Sequence, residues 1–474
     1  MTTIVWFRQD LRVDDHAPLL YAAERGAVVP IFLWSPEDEG AWPVGAAARW
    51  WLHHSLTGLA ASLQALGSRL IIRSGRAIDV LPALARESGA DVIVCARRYE
   101  PAARAVEAAL AGAMGAAFVA LDASLLHQPE AIRTGGNGPY QVYTPYARNC
   151  RMQGGPSRPR LAPAALASPT RWPASSSITS LALLPTINWT GSMASAWTPG
   201  EIGARAALTA FLDGAVGTYA ESRDIPAAPG TSRLSPHLHW GEISPRRAWH
   251  AVSDALRRSG DPTTKRGAEK YLAELLWREF AHHVLVHFPH TPAAPLRAEY
   301  ASFPWRSDLE ALRAWQRGRT GYPLVDAGMR ELWATGWMHN RVRMVVASFL
   351  VKHLLIAWHD GARWFWDTLV DADLANNTLG WQWAAGCGAD AAPYFRIFNP
   401  VLQGEKFDPT GTYVRRWVPE LALLPDRFVH APWKAPAAVL ERAGVRLGVD
   451  YPAPIVEHTA ARIRALAAAD QRST

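Results

Sequence analysis

The hydrophobic pattern of this chain changes period once, and that change dictates a two-part fold. Up to about residue 130, short apolar runs alternate with helical stretches. The runs are Ile4–Phe7, Val28–Trp34 (VVPIFLW), Arg69–Arg73 (RLIIR), Asp91–Ala96 (DVIVCA) and Ala117–Leu121. Between them, Ala46–Leu66, Ala77–Glu87 and Pro101–Ala111 carry alanine and leucine at helical spacing. Valine- and isoleucine-rich runs without polar alternation are strands buried on both faces, as in a parallel sheet packed between helices. The expectation is a doubly wound α/β domain over residues 1–130. No GxGxxG follows its first strand, so the usual dinucleotide fingerprint is absent.

Residues 131–200 differ in character. GGPSRPR, LAPAALASPT and RWPASSS concentrate Pro, Ser, Gly and Ala, which reads as an interdomain linker wrapping over a surface. From Glu201 onward the period becomes helical, as in AEKYLAELLWREFAHHVLVHF, VDAGMRELWATG and HNRVRMVVASFLVKHLLIAWHDG. Strand signals are scarce, so residues 201–474 are expected to be all-α. No repeat of fixed period is present.

The chain's 474 residues suit two or three domains of roughly 100–200 residues each. The net charge of +7 favours an anionic partner such as nucleic acid, though many basic proteins bind none. The three cysteines, Cys95, Cys150 and Cys387, are far apart. This argues against a zinc site, an iron–sulfur cluster and a disulfide framework, and it fits a reducing cytoplasm. The N-terminus MTTIVWFRQDLR has no signal-peptide pattern, and no apolar run reaches the roughly 18 residues that span a bilayer. There are 22 tryptophans. Most must be buried hydrophobes, but such a surplus also suits stacking on planar ligands or electron hopping between rings.

The densest chemistry lies in DADLANNTLGWQWAAGCGADAAPYFRIFNP, from Asp371 to Pro400. Two acids, two amides and two tryptophans follow one another in a stretch that reads as helix-poor. Alone, it is a buried loop whose Asp and Asn side chains cap helices.

This segment closely resembles the flavin-binding region of the photolyase/cryptochrome family. So do WFRQDLRVDDHAPL (Trp6–Leu19), TSRLSPHLHWGEISPR (Thr231–Arg246), ELLWREF (Glu274–Phe280), TGYPLVDAGMREL (Thr320–Leu332), TGWMHNRVRMVVASFLVK (Thr335–Lys352) and FNPVLQGEKFDPTGTYVRRWVPEL (Phe398–Leu421). The blocks run in order over nearly the whole chain. The family contains both repair enzymes and light receptors, so fold alone does not choose between them.

The resemblance implies FAD in the helical domain. Tyr219, Thr231, Ser232, Arg233, Leu234 and Ser235 match positions that grip its phosphates and neighbouring groups; hydroxyls and backbone N–H groups in a turn make an anion nest. In isolation, TSRLS is an ordinary helix cap. Tyr271, Glu274 and Arg278 share a helix face. Glu274 and Arg278 could be only a surface ion pair worth about 1 kcal/mol at most. Matched to the family, Glu274 reaches the pyrimidine bases. Asn377 matches the residue facing N5 of the flavin, where repair enzymes tend to carry Asn and plant-type receptors Asp. A neutral amide both donates and accepts, so it tolerates more than one flavin redox state. Arg343 and Asp371 match a cation and acid beside the ring, and Asp373 a further flavin contact.

The same resemblance implies that Asn340 and Met344 touch the lesion, with Trp277 and Trp383 as its aromatic walls. Trp381, Trp358 and Trp305 match a chain of electron carriers from flavin to surface. Arg223, Arg341 and Arg396 match a DNA-binding rim. Taken singly, each tryptophan reads as core, Met344 likewise, and each arginine as a solvated surface residue.

LANNTLGWQW and PEDEGAWPVGAAARWWLHHSL (Pro36–Leu56) look like the bacterial photolyase subgroup allied to plant cryptochromes. That subgroup usually carries methenyltetrahydrofolate as antenna, for which Trp34 and Glu100 are candidate ligands; a 5-deazaflavin, or no antenna, are the alternatives. The expected activity is light-driven repair of cyclobutane pyrimidine dimers by electron transfer from excited reduced FAD to a flipped-out dimer. The expected enzyme is a monomeric cytoplasmic lyase, nucleoid-associated at lesions, with no metal and no membrane. The competing readings are a cryptochrome-type blue-light receptor and a generic flavin electron carrier.

Overall fold

In a computed structural model, the structure describes residues 1–394 and 396–470. The N-terminal part alternates as its sequence predicts: β1 (Thr2–Phe7), α1 (Ala17–Ala23), β2 (Ala27–Trp34), α2 (Ala46–Ala65), β3 (Ile71–Ser74), α3 (Ala77–Ser88), β4 (Val92–Ala96), α4 (Pro101–Met114) and β5 (Phe118–Leu121). The five strands form one parallel sheet in the order β3-β2-β1-β4-β5. Ile4 lies between Val29 and Ile93 in register. Ile4, Val29, Ile31, Ile71 and Ile93 are fully buried, each worth roughly 1.5–3 kcal/mol relative to exposure. The order reverses between β1 and β4, which places a cleft outside the carboxyl ends of the strands.

The Pro- and Ser-rich stretch is more ordered than a linker. It contains α5 (Tyr143–Met152) and α6 (Gly191–Ala196). Between these helices it lies along the sheet: the Val28 N–H donates to Ala167 O at 2.9 Å, and the Ser176 N–H to Ile72 O at 3.0 Å. Strand β3, at the sheet's edge, is thereby covered, which removes an open row of backbone groups.

The rest is helical: α7 (Glu201–Asp213), α8 (Tyr219–Ser222), α9 (Ser235–His239), α10 (Pro245–Arg258), α11 (Pro262–His287), α12 (Leu309–Gln316), α13 (Pro323–Thr335), α14 (Asn340–Ser348), α15 (Trp358–Thr368) and α16 (Leu374–Ala385), with shorter helices up to His458–Asp470. Asp261 caps the 26-residue α11 by accepting from the Thr263 and Thr264 N–H groups, and Pro262 fits its first turn. A single π-turn, Phe349–His353, follows α14. Helix α16 corrects the sequence reading, since Asn376, Asn377, Trp381 and Trp383 stand on a helix and not in a loop. Two asparagines and Gly380 lower its intrinsic propensity, and burial of Leu374, Trp381, Ala384 and Ala385 overrides that.

The described chain divides into two compact units. The first is Met1–Gly217 with Ser232–Pro289 and Val370–Ala375; the second is Thr218–Thr231 with His290–Leu369 and the chain from Asn376 onward.

Candidate active site

In the first unit, the turn before α9 is held in an uncommon conformation. Arg233 has φ 52°, left-handed for a residue with a Cβ, and such backbone persists only where its surroundings fix it. Ser232 Oγ accepts from the Leu234 N–H at 3.3 Å, and the Arg233 guanidinium stacks 3.9 Å over Trp197. Tyr271, buried on α11, hydrogen-bonds Ser232. Burial pushes its phenol up to about 12, with the serine pulling the other way.

Asp373 is buried with two histidines. His282 Nε2 lies 3.4 Å and His239 Nδ1 3.9 Å from its Oδ2. His282 Nδ1 lies 3.0 Å from Arg278 O, a carbonyl that only accepts. Both ring nitrogens of His282 thus face acceptors, an arrangement that favours its protonated form. Burial opposes that charge, yet Asp373 raises the His282 pKa above its ordinary value. Burial likewise opposes the carboxylate, but His282 and His239 hold Asp373 well below the usual range. Neither histidine was singled out in the sequence. The available signal was position: His282 follows Arg278 by four residues on one face of α11. Asp371 is also buried in this unit.

Also on α11, Trp277 is half-buried and stacks on Tyr143 with ring centroids 3.8 Å apart and planes 7° apart. The Tyr143 hydroxyl donates to Ala273 O at 2.7 Å. Glu274 pairs with Lys270 at 3.3 Å, and Arg278 with Glu279 at 3.3 Å. Lys270, one turn before Glu274, and not only Arg278, one turn after it, is thus within ion-pair reach of that carboxylate.

Trp34 lines the cleft at the strand ends with Trp6, Arg8, Asp38, Glu39 and Arg98. Arg98 bridges it, bonding Glu39 at 2.7 Å and Glu100 at 3.2 Å. The cleft encloses about 60 Å³, room for roughly two waters. Known small-molecule pockets run to about 300–1,000 Å³. As these side chains stand, the cleft does not fit a pterin or a deazaflavin, and Glu100 is committed to Arg98.

In the second unit, Asn377 on α16 donates from Nδ2 to Ala362 O at 3.0 Å. That bond orients the amide and leaves its oxygen as an acceptor. Four residues on, the Trp381 indole N–H is buried with no hydrogen-bond partner among the described residues. Asn377 is half-buried, so its amide oxygen can accept from the ring N–H of a flat heteroaromatic ligand, whereas the Trp381 N–H is covered by protein. The chain's own residues thus suit the flavin that the resemblance implies.

Trp381 lies edge-on to Phe365 at 5.0 Å and sits flush on Gly361, where a Cβ would stand 2.0 Å from its ring. Trp358, buried, is three residues before Gly361 on α15. The Arg306 N–H, next to half-buried Trp305, donates to Leu355 O at 2.7 Å, three residues before Trp358.

Asn340 is exposed at the first turn of α14, with half-buried Met344 one turn on. Glu331 accepts from the His339 N–H at 3.3 Å and the Tyr413 hydroxyl at 2.6 Å, fixing the start of that helix. Arg343 Nε donates to Met338 O at 2.7 Å. Trp383 is half-buried beside Phe398. Tyr219 is buried on α8, with the Arg223 guanidinium 5.6 Å from its ring centre. Thr231 closes the same segment, half-buried. Arg341 is engaged by Asp224 at 2.9 Å, and Arg396 is exposed. Lys352, buried, donates to Arg396 O at 2.8 Å; burial and then the Arg396 charge lower it to about 8.

A parallel-sheet domain followed by a helical array, with an oriented half-buried amide on α16, is the architecture of a two-part flavoprotein. Residues 3–164 match the family profile described as DNA photolyase, and residues 271–471 the one described as FAD binding domain of DNA photolyase. The chain belongs to the DNA photolyase family. It is 49% identical to a deoxyribodipyrimidine photo-lyase of Agrobacterium fabrum, covering 98% of this chain and 97% of that one. It is 39% identical to cryptochrome-1 of Arabidopsis thaliana, over 98% of this chain and 69% of the relative. The crystal structure of a bacterial class III photolyase from Agrobacterium tumefaciens superposes with a TM-score of 0.96 at 48% identity, covering 100% and 98% of the two chains. Among the described residues, no helix is long and apolar enough to cross a membrane.

Proposed function

We propose that this chain is a light-driven lyase that splits cyclobutane pyrimidine dimers in DNA. The observation that carries this reading over a light receptor is the Asn377 amide bonded to Ala362 O, because an ionised aspartate could not donate there. Bound at this site, reduced FAD would supply on excitation the one electron that opens the two cyclobutane C–C bonds and is then returned, with no net redox change. Ser232, Arg233, Leu234, Ser235 and Tyr271 hold the cofactor's polar groups in the first unit, as Tyr219 and Thr231 do in the second. Asp371, Asp373 and Arg343 orient it, and Asn377 accepts from its ring. Glu274 and Trp277 of the first unit, and Asn340, Met344 and Trp383 of the second, are the lesion contacts, the tryptophans stacking on the extruded bases. Arg223, Arg341 and Arg396 track phosphates. Trp381, Trp358 and Trp305 carry electrons inward.

By this reading, residues 1–130 serve an antenna role, 131–200 connect, and 201–474 hold flavin and lesion. A methenyltetrahydrofolate or 5-deazaflavin antenna at Trp34 requires the Arg98 bridge to open. The protein works as a monomer in the cytoplasm, on lesion-bearing DNA of the nucleoid. Dark binding tests the lesion site. A thymine-dimer oligonucleotide should bind at least tenfold tighter than undamaged DNA, and Glu274→Ala or Asn340→Ala should erase most of that preference. Equal affinity for both DNAs would contradict the proposal.

A further inference from the structure

An open cavity of about 710 Å³ lies between one face of α12, with the turn that follows it, and the segment carrying Ile455. Arg313, Arg317 and Arg319 line it, exposed, with no partner for their guanidinium groups among the described residues. Arg313 and Arg317 are four apart on one helix face, where like charges repel. Two further arginines stand nearby. Arg306 is within 3.9 Å of Asp308, the cap of α12. Arg464 donates to His353 O, and burial and then the like charge of Arg306 lower its pKa. The cavity lining itself carries three arginines against one carboxylate, Glu310. Leu309 and Ile455 add an apolar wall. Trp305, half-buried, is four residues before Leu309, at most about 14 Å of extended chain.

We propose that this cavity collects a small anionic one-electron reductant and delivers its electron to Trp305. The inference rests on reading Trp305 as the outer end of the tryptophan relay. Were photoexcited oxidised flavin, bound as proposed above, to take one electron drawn inward from Trp305 through Trp358 and Trp381, Trp305 would be left as an indole cation radical. An ascorbate-class enediolate restores it: one electron passes to the indole, the donor becomes its radical anion, and the donor's proton goes to water. The cavity's size suits a small molecule, and its positive rim raises the donor's encounter rate.

The test is flash photolysis of the flavin-loaded protein, following decay of the tryptophan radical with ascorbate or with neutral dithiothreitol. The Arg313→Glu/Arg317→Glu/Arg319→Glu variant should slow the second-order ascorbate reaction at least tenfold. The dithiothreitol reaction should change less than twofold. In the wild type, raising salt from 20 to 500 mM should slow ascorbate alone, since screening shortens the reach of surface charge. Ascorbate rates that ignore both the variant and salt overturn the cavity assignment. If Trp305→Phe leaves radical yield and quenching by both reductants unchanged, the relay reading has failed instead.

Discussion

At the scale of single residues, charge state decides most of the chemistry. The His282–Asp373 pair sets a pH window. Folding raises the His282 pKa, so the folded protein binds that proton more tightly than the unfolded chain. Its contribution is fully present below 6.5 and is lost as pH rises through the raised value. Asp373 acts at the other end: its contribution is present above 3.8 and lost as pH falls through its lowered value. His282→Gln leaves a buried carboxylate short of a cation, a loss of about 3–5 kcal/mol. Urea unfolding at pH 6 and pH 9 should show the wild type losing stability at the higher pH and the variant losing less. Equal losses would separate His282 from that pH dependence. Asn377→Asp is expected to cost about 1–3 kcal/mol at pH 8, where a carboxylate faces Ala362 O, and less near pH 3.5, where much of the side chain is a carboxyl that can donate. Comparing melts at the two pH values checks the sign.

At the scale of elements, the sheet was legible and the site partly so. Each strand lies within two residues of its sequence-derived bounds, because a run buried on both faces admits little else. Helix α1, only seven residues long, gave no periodic signal. Helix α16 was hidden by its asparagines, and α5 by the Pro- and Ser-rich sequence that follows it. That concealed Tyr143, which a reading of 131–200 as linker could not place against Trp277. A parallel stack at 3.8 Å is worth about 0.5–1.5 kcal/mol beyond area. Tyr143→Leu should therefore weaken dimer-oligonucleotide binding by about threefold to tenfold while leaving the flavin absorption spectrum unchanged. A change in both would assign Tyr143 a general packing role. Glu274 shows the limit of spacing: i,i+4 geometry offers it both Arg278 and Lys270, and Lys270 stands within 3.3 Å of it while Arg278 also reaches buried Glu279.

At the scale of the whole molecule, the +7 charge and the proposed phosphate contacts of Arg223, Arg341 and Arg396 predict salt-dependent DNA binding without sequence preference. Arg396→Gln should reduce the slope of log K against log salt by about 1. Arg341→Gln should reduce it less, because Asp224 already neutralises that guanidinium. Isotherms at four salt concentrations check both, and equal slopes for the two variants would remove Arg396 from those contacts. The most direct test of the central claim is repair itself: thymine-dimer oligonucleotide, reduced flavin-loaded protein, and blue or near-ultraviolet light against a dark control. Light-dependent loss of dimers over many turnovers, with none in the dark, is the predicted result. Normal flavin binding and photoreduction with no loss of dimers would contradict the account and leave a light receptor in its place.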